Sequence, residues 1–317
     1  MKQFRDILVY AEVGDEGCLE QVVALAREHG AAITVCEIVA APPALEDQRG
    51  VMERVSKLRW SRAFQRLRRV VDKFAEHMVI DYSVFTGVPF VVIAEQVMQQ
   101  NFDLVVHISE PVQITGGIGL NATGMHLMRK CPCTVWALHP RREPAEGDVV
   151  LALDRELAAP MSRVEAFSMT LAESALAMAN ARRGKLRVIH AWQPFGAELL
   201  EDPELGLSAE ERLSYRNAQR EDNEQWFRRV VQRIASVAPK GLHVESELIE
   251  GPAMDSVIQL VEAADTGLLV LGTVGTSANP GVLIGATTES ILTRCRTPVL
   301  AIKPPGFVSP LRFGAAR

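Results

Sequence analysis

The chain has 317 residues, long enough for about two domains of ordinary size. Its 48% hydrophobic and 23% charged residues are the composition of a globular protein with one or two sizeable cores. A net charge of −5, from 34 basic and 39 acidic residues, argues against nucleic acid or an anionic membrane as the main partner. The five cysteines, at 18, 36, 131, 133 and 295, are odd in number and irregularly spaced, as expected in a reducing compartment. Cys131 and Cys133 make one C-x-C, which without a second ligand pair is a weak zinc signal. The first apolar run stops at Glu12, too early for a signal peptide, and no stretch approaches the ~18 apolar residues of a membrane span. The sequence is thus read as cytoplasmic.

In chain order, Asp6–Glu12 is a short apolar run ending at a carboxylate, the pattern of a buried parallel strand. A second strand is expected over Ala32–Cys36 and a long amphipathic helix over Val51–His77, whose Arg62, Arg66, Arg68 and Arg69 read as a solvated face. A third strand follows near Met78–Phe85. Gly87-Val88-Pro89 then opens a helix leading to a strand at Asp103–His107, and a last strand is expected at Thr134–Leu138.

The same order then recurs. Asp148–Asp154 repeats the first strand with its terminal carboxylate, and Leu186–Ala191 repeats the second. Ser208–Val237 repeats the long helix, with Ser208 and Glu211 spaced as a capping box. Leu242–Ile249, Gly251-Pro252, Gly267–Gly272 and Pro298–Ile302 complete the second copy, and Met125–Cys131 parallels Ser290–Cys295. Strands alternating with helices mean crossover connections and a parallel sheet covered on both faces. The expected fold is two tandem five-stranded, mostly parallel α/β sheets of flavodoxin- or Rossmann-like type. Their domains are placed at 1–140 and 147–305, with a polar linker near His139–Gly147 and a tail at 306–317.

Ligands of such sheets sit beyond the carboxyl ends of the strands, where strand order reverses. In the second copy this position gathers Asp154, Ala191 and the stretch from Gly272. Gly272, Gly275 and Gly285 are spaced G-x2-G-x9-G, after a strand and before a helix expected over Thr287–Arg294. Glycines allow close backbone approach, and the free amides of a first helical turn favour an anion. No Walker lysine motif and no Ser–His–Asp or paired-carboxylate set occurs, so no catalytic residue is assigned and efficient ATP turnover is not expected. His107 and His190, at strand ends, read as hydrogen-bonded core residues. Trp60 and Trp226, with Phe64, Phe74 and Phe227, read as packing against the sheet.

The glycine spacing, the strand-ending aspartate and the closing run ESILTRCRTPVLAI resemble the universal stress protein family. Two copies over nearly the whole chain are most similar to its tandem, E-type branch. The resemblance implies ATP binding by the second copy: Asp154 and Ala191 face adenine, Gly272 and Gly275 line ribose and phosphates, and Gly285, Ala286 and Thr287 cradle the phosphates. It leaves Mg²⁺ unassigned. The chain departs from the family pattern at Ala286, where a serine or threonine is usual, and in lacking a basic residue between the glycines. In the first copy, His107–Glu110 and Asn121-Ala122-Thr123 replace the glycines, and Glu110 is expected to repel phosphate. That copy is expected to be degenerate, with Gly116, Gly117 and Gly119 in a flexible loop, and to serve as internal partner. The resemblance also implies pairing through the last strands of the two copies, with a further homodimer compatible. A rival reading is a binding module for an apolar small molecule or lipid, or a protein-interaction scaffold, with no nucleotide bound. It is motivated by Ala286 and by apolar segments at Val39–Leu45 and Phe195–Leu207, before the long helices.

Overall fold

The computed structural model describes residues 4–311 except 13–14, 44–48, 77, 115–116, 141–146, 157–158, 264–265 and 275–283. In the first half, β1 (Asp6–Ala11), α1 (Glu16–His29), β2 (Ala32–Val39), α2 (Arg49–Asp72), β3 (Asp81–Thr86), α3 (Pro89–Gln100) and β4 (Leu104–Ile108) alternate strictly. A small hairpin, β5 (Val112–Ile114) and β6 (Gly117–Gly119), precedes α4 (Ala122–Lys130) and β7 (Thr134–Leu138). The second half runs β8 (Val149–Leu153), α5 (Met161–Ala181), β9 (Leu186–Trp192), α6 (Ala209–Val237), β10 (Val244–Glu250), α7 (Ala253–Ala263), β11 (Leu268–Gly272), α8 (Ala286–Leu292) and β12 (Val299–Ile302).

Local chemistry sets these boundaries. The Asp15 side chain accepts from the Cys18 amide at 2.7 Å to start α1, and Gly30 ends that helix at φ 65°. The Ser208–Glu211 capping box forms in both directions at the start of α6. Gly87 (φ 146°) and Gly251 (φ 156°) turn the chain after the third strand of each half, and their amides donate to Val39 O and Trp192 O. Equivalent positions thus solve one steric problem with one residue type. α2 stops at Asp72, short of the expected His77, and a turn follows at residues 73–76.

The halves join edge to edge in a single ten-stranded sheet ordered β10-β9-β8-β11-β12-β7-β4-β1-β2-β3. Every pairing in it is parallel except β12 with β7, which is antiparallel through Val299↔Ala137, Leu300↔Trp136 and Ala301↔Val135. One core packs against α1, α2, α5 and α6, the other against α3, α4, α7 and α8, and each runs through both halves. Across the junction Arg182 Nη1 donates to Gln21 Oε1 at 3.0 Å, and Arg129 pairs with Glu289. Residues 303–311 lie on α4: Lys303 Nζ donates to Met128 O, and Ser309 Oγ donates to Lys130 O.

Two expectations need correction. Gly117 and Gly119 belong to the β5–β6 hairpin, and the Leu120 amide donates to Leu292 O of the other half, so this segment is built into the junction rather than a free loop. Trp226 is fully buried, but Trp60 is 43% exposed; it stacks on Phe64 and donates Nε1 to Val84 O on edge strand β3. No described helix is long and apolar enough to cross a membrane.

A Cβ added at Gly119 would lie 2.6 Å from Leu292 O and 2.7 Å from Thr293 O, both backbone atoms. Gly119→Ala is therefore expected to cost about 1–3 kcal/mol in denaturant unfolding. Gly50→Ala meets nothing within 4 Å and should leave stability unchanged or slightly raised.

Candidate functional site

In the second half β9 lies on one side of β8 and β11 on the other, so strand order reverses between β8 and β11. A cavity of about 200 Å³ opens above this point. Asp154, Ala191, Gly272, Gly285, Ala286 and Thr287 all line it, whereas Gly275 falls outside the described residues. Val164, Phe167 and Leu171 of α5 form one wall; Val257 of α7 and Ile291 of α8 form the other.

Each polar group has a structural reason to be there. Asp154 directly follows β8 and is exposed at the mouth. Desolvation by its surroundings raises its carboxyl above the usual range; His190 opposes this shift and Glu156 adds to it. His190 is buried, with Nδ1 against Leu153 O at 3.0 Å and Nε2 against Asn223 Oδ1 at 3.1 Å. Burial lowers its pKa despite these contacts, so the ring is neutral at neutral pH. Arg155, the nearest basic side chain in sequence, turns to Asp222 at 2.7 Å. Gly285 caps α8 without a side-chain hydrogen bond, its own amide donating to Thr273 O. Thr288 Oγ1 donates to Gly272 O at 2.9 Å and ties this helical turn to the strand end.

Gly272 has a role that the spacing did not disclose. A Cβ there would lie 2.8 Å from the Phe167 ring, so the glycine admits an aromatic side chain across the strand end. Phe167 and Leu171 went unrecognised in the sequence because an apolar helix residue over a cavity has the same pattern as one in the core.

In the corresponding place of the first half the polar groups are satisfied by one another. Glu12, at the position of Asp154, approaches His107 Nε2 at 3.2 Å and accepts from Asn121 Nδ2 at 2.6 Å. Asn121, at the position of Gly285, also caps α4 through the Gly124 amide at 2.8 Å. Burial opposes the Glu12 charge, but hydrogen bonds from His107, Thr123 and Asn121 outweigh it and hold the carboxyl below its ordinary value. The carboxylate anchored at the head of α4 is therefore Glu12; Glu110, to which the sequence reading gave the repulsive role, is exposed at the end of its strand.

Residues 166–303 match the Universal stress protein family. The match lies within the second half, from α5 to just beyond β12. Over 71% of its length the chain is also similar to two further proteins. It is 27% identical to Universal stress protein E of Salmonella typhi over 227 residues, which cover 71% of this chain and 68% of that protein. It is 25% identical to Universal stress protein E of Photorhabdus laumondii over 234 residues, with the same coverage. A universal stress protein from Archaeoglobus fulgidus shares the fold over 96% of this chain and 100% of its own, with a TM-score of 0.64 at 15% identity.

Because the folded pKa of Glu12 is depressed, its stabilisation is complete above its ordinary value of 4.5 and is lost as pH falls through the lower folded value. Glu12→Gln should lower stability by about 1 kcal/mol at pH 7. The gap from wild type should close on acidification below pH 4.5 in thermal melts.

Proposed function

We propose that the second half binds an adenine nucleotide such as ATP in the crevice between β8 and β11, and that the chain is a non-enzymatic stress-response protein of the cytoplasm. In this reading residues 1–140 and 147–305 are two domains, the first the internal partner of the second. The observation that carries the proposal is the convergence of Asp154, Ala191, Gly272 and Gly285–Thr287 on one cavity at the switch point. Val164, Leu171, Val257 and Ile291 offer apolar faces to a purine. The Asp154 carboxylate can accept hydrogen bonds from an exocyclic amine or a ribose hydroxyl. The first-turn amides at 286–288 have no intrahelical partners and suit phosphate oxygens. The cavity is smaller than the roughly 300–1,000 Å³ usual for small-molecule sites, so the Phe167 ring must swing off Gly272 to admit the ligand.

A second reading draws on a cavity of about 620 Å³ beside α2 in the first half, where Val9, Leu19, Val35, Leu67, Val70 and Ile108 form an apolar floor and Glu12, Glu37 and Arg66 also line it. It favours an apolar small molecule held by the first half, and native mass spectrometry of protein taken directly from cells distinguishes the two by the co-purified mass.

Titration calorimetry with ATP tests the first reading. Asp154→Asn should weaken binding about tenfold, and Ala286→Ser, which restores a hydroxyl, should strengthen it several-fold. Phe167→Ala should bind at least as tightly as wild type. Failure of wild type, Ala286→Ser and Phe167→Ala alike to take up nucleotide overturns the reading.

A further inference from the structure

Lys303 presents an electrostatic problem. Its side chain is buried after β12, and a buried ammonium is expected to have an anionic partner. Among the described residues it pairs with no carboxylate. Nζ donates to the Met128 carbonyl and lies 4.5 Å from the Phe307 ring centroid.

The other groups within its electrostatic reach are two thiols. Cys131 follows the last turn of α4 and Cys133 immediately precedes β7. Pro132 separates them, and both side chains fall on the same side, with Sγ atoms 3.6 Å apart. Cys131 is wholly buried, whereas Cys133 is partly open to solvent.

The second half supplies an internal contrast. Cys295 stands where Cys131 stands, but Thr297 takes the place of Cys133 and His139 that of Lys303. Cys295 Sγ faces Thr297 O at 3.9 Å. Only the first copy carries both thiols, and the ammonium beside them is contributed by the second.

Burial raises the cost of a Cys131 thiolate, but the Cys133 hydrogen bond and Lys303 together bring its pKa below the ordinary thiol value. Burial lowers Lys303 to about 8, which leaves it charged at neutral pH. A thiolate on this pair is the anion that the buried ammonium otherwise lacks.

We propose that Cys131 and Cys133 are a peroxide-sensitive dithiol that closes to an intramolecular disulfide, with Lys303 as the positioning cation. The proton shared between the two sulfurs passes to Cys131, and Cys133, the more accessible sulfur, then attacks one oxygen of hydrogen peroxide as thiolate. The S–O bond forms, the O–O bond breaks, and the leaving hydroxide departs as water after taking up a proton. Cys131 sulfur then attacks the sulfenic sulfur, the S–S bond forms, the S–O bond breaks, and a second water leaves. Two thiols give up two electrons and two protons, and one peroxide becomes two waters. A small dithiol reverses the step by exchange. Closure also removes the negative charge against which Lys303 is held between the two halves of the chain.

The test is peroxide treatment of the full-length protein, followed by intact-mass measurement and non-reducing peptide mapping. Wild type should lose two hydrogens, with one peptide bridged between Cys131 and Cys133, and recover them in dithiothreitol. Cys133→Thr, which copies the second half, should form no such bridge. Lys303→Met should slow closure at pH 7 by about three- to tenfold, the effect of a smaller thiolate fraction partly offset by higher nucleophilicity. Lys303→Arg should restore most of the rate. A pH–rate profile on wild type, which needs no variant to fold, should rise below the ordinary thiol range. Persistence of both thiols, linkage only between separate chains, or a profile matching an unperturbed thiol overturns the proposal. None of these outcomes depends on nucleotide binding.

Discussion

The antiparallel pairing of β7 with β12 is the contact on which the rest of the molecule depends. Each half taken alone would end in an open edge, a row of unpaired amides and carbonyls that invites association. Three residue pairs across that edge turn two five-stranded sheets into one and make each hydrophobic core continuous across the junction. They also bring residues 303–311 of the second half onto α4 of the first. The buried lysine and the Cys131–Cys133 pair thus share one neighbourhood although they are 170 residues apart in sequence.

Within this frame the two crevices have diverged by a small set of exchanges with large electrostatic consequences. In the first half a glutamate, one methylene longer than aspartate, reaches the asparagine that caps α4, and a buried histidine stands behind it. The polar groups at the helix start are therefore satisfied by the protein itself. In the second half the shorter Asp154 stays at the mouth, His190 is turned to Leu153 O and Asn223, and Gly285 supplies no side chain to cap α8. One copy satisfies its strand-end carboxylate with its own side chains, whereas the other presents it to the switch-point cavity.

Much of this architecture was legible in the sequence, because buried parallel strands are short apolar runs and duplication shows each of them twice. Gly87 and Gly251, the Ser208 capping box and the matching strand-end carboxylates are local signals, and local signals survive the absence of tertiary information. Features of the other kind did not. The pairing inside the first crevice needs Glu12 and Asn121, 109 residues apart, to meet. Phe167 over Gly272 needs the angle at which α5 crosses the sheet. Trp60 looked like Trp226 in sequence, but its Nε1 reaches the Val84 carbonyl of edge strand β3 while the ring still faces solvent. The α5 and α7 walls of the candidate site were illegible for the same reason: an apolar helix face does not say whether it meets a core or a cavity.

The central proposal is that the second crevice takes an adenine nucleotide, whereas in the first Glu12 occupies the helix start that phosphates would need. Photolabelling with an azido-adenine nucleotide, followed by peptide mapping, addresses both parts at once. The account predicts label on peptides from residues 152–171 and 271–292, suppressed by excess ATP, and none on residues 1–140. Competable label in the first half, or none in the second, would contradict it.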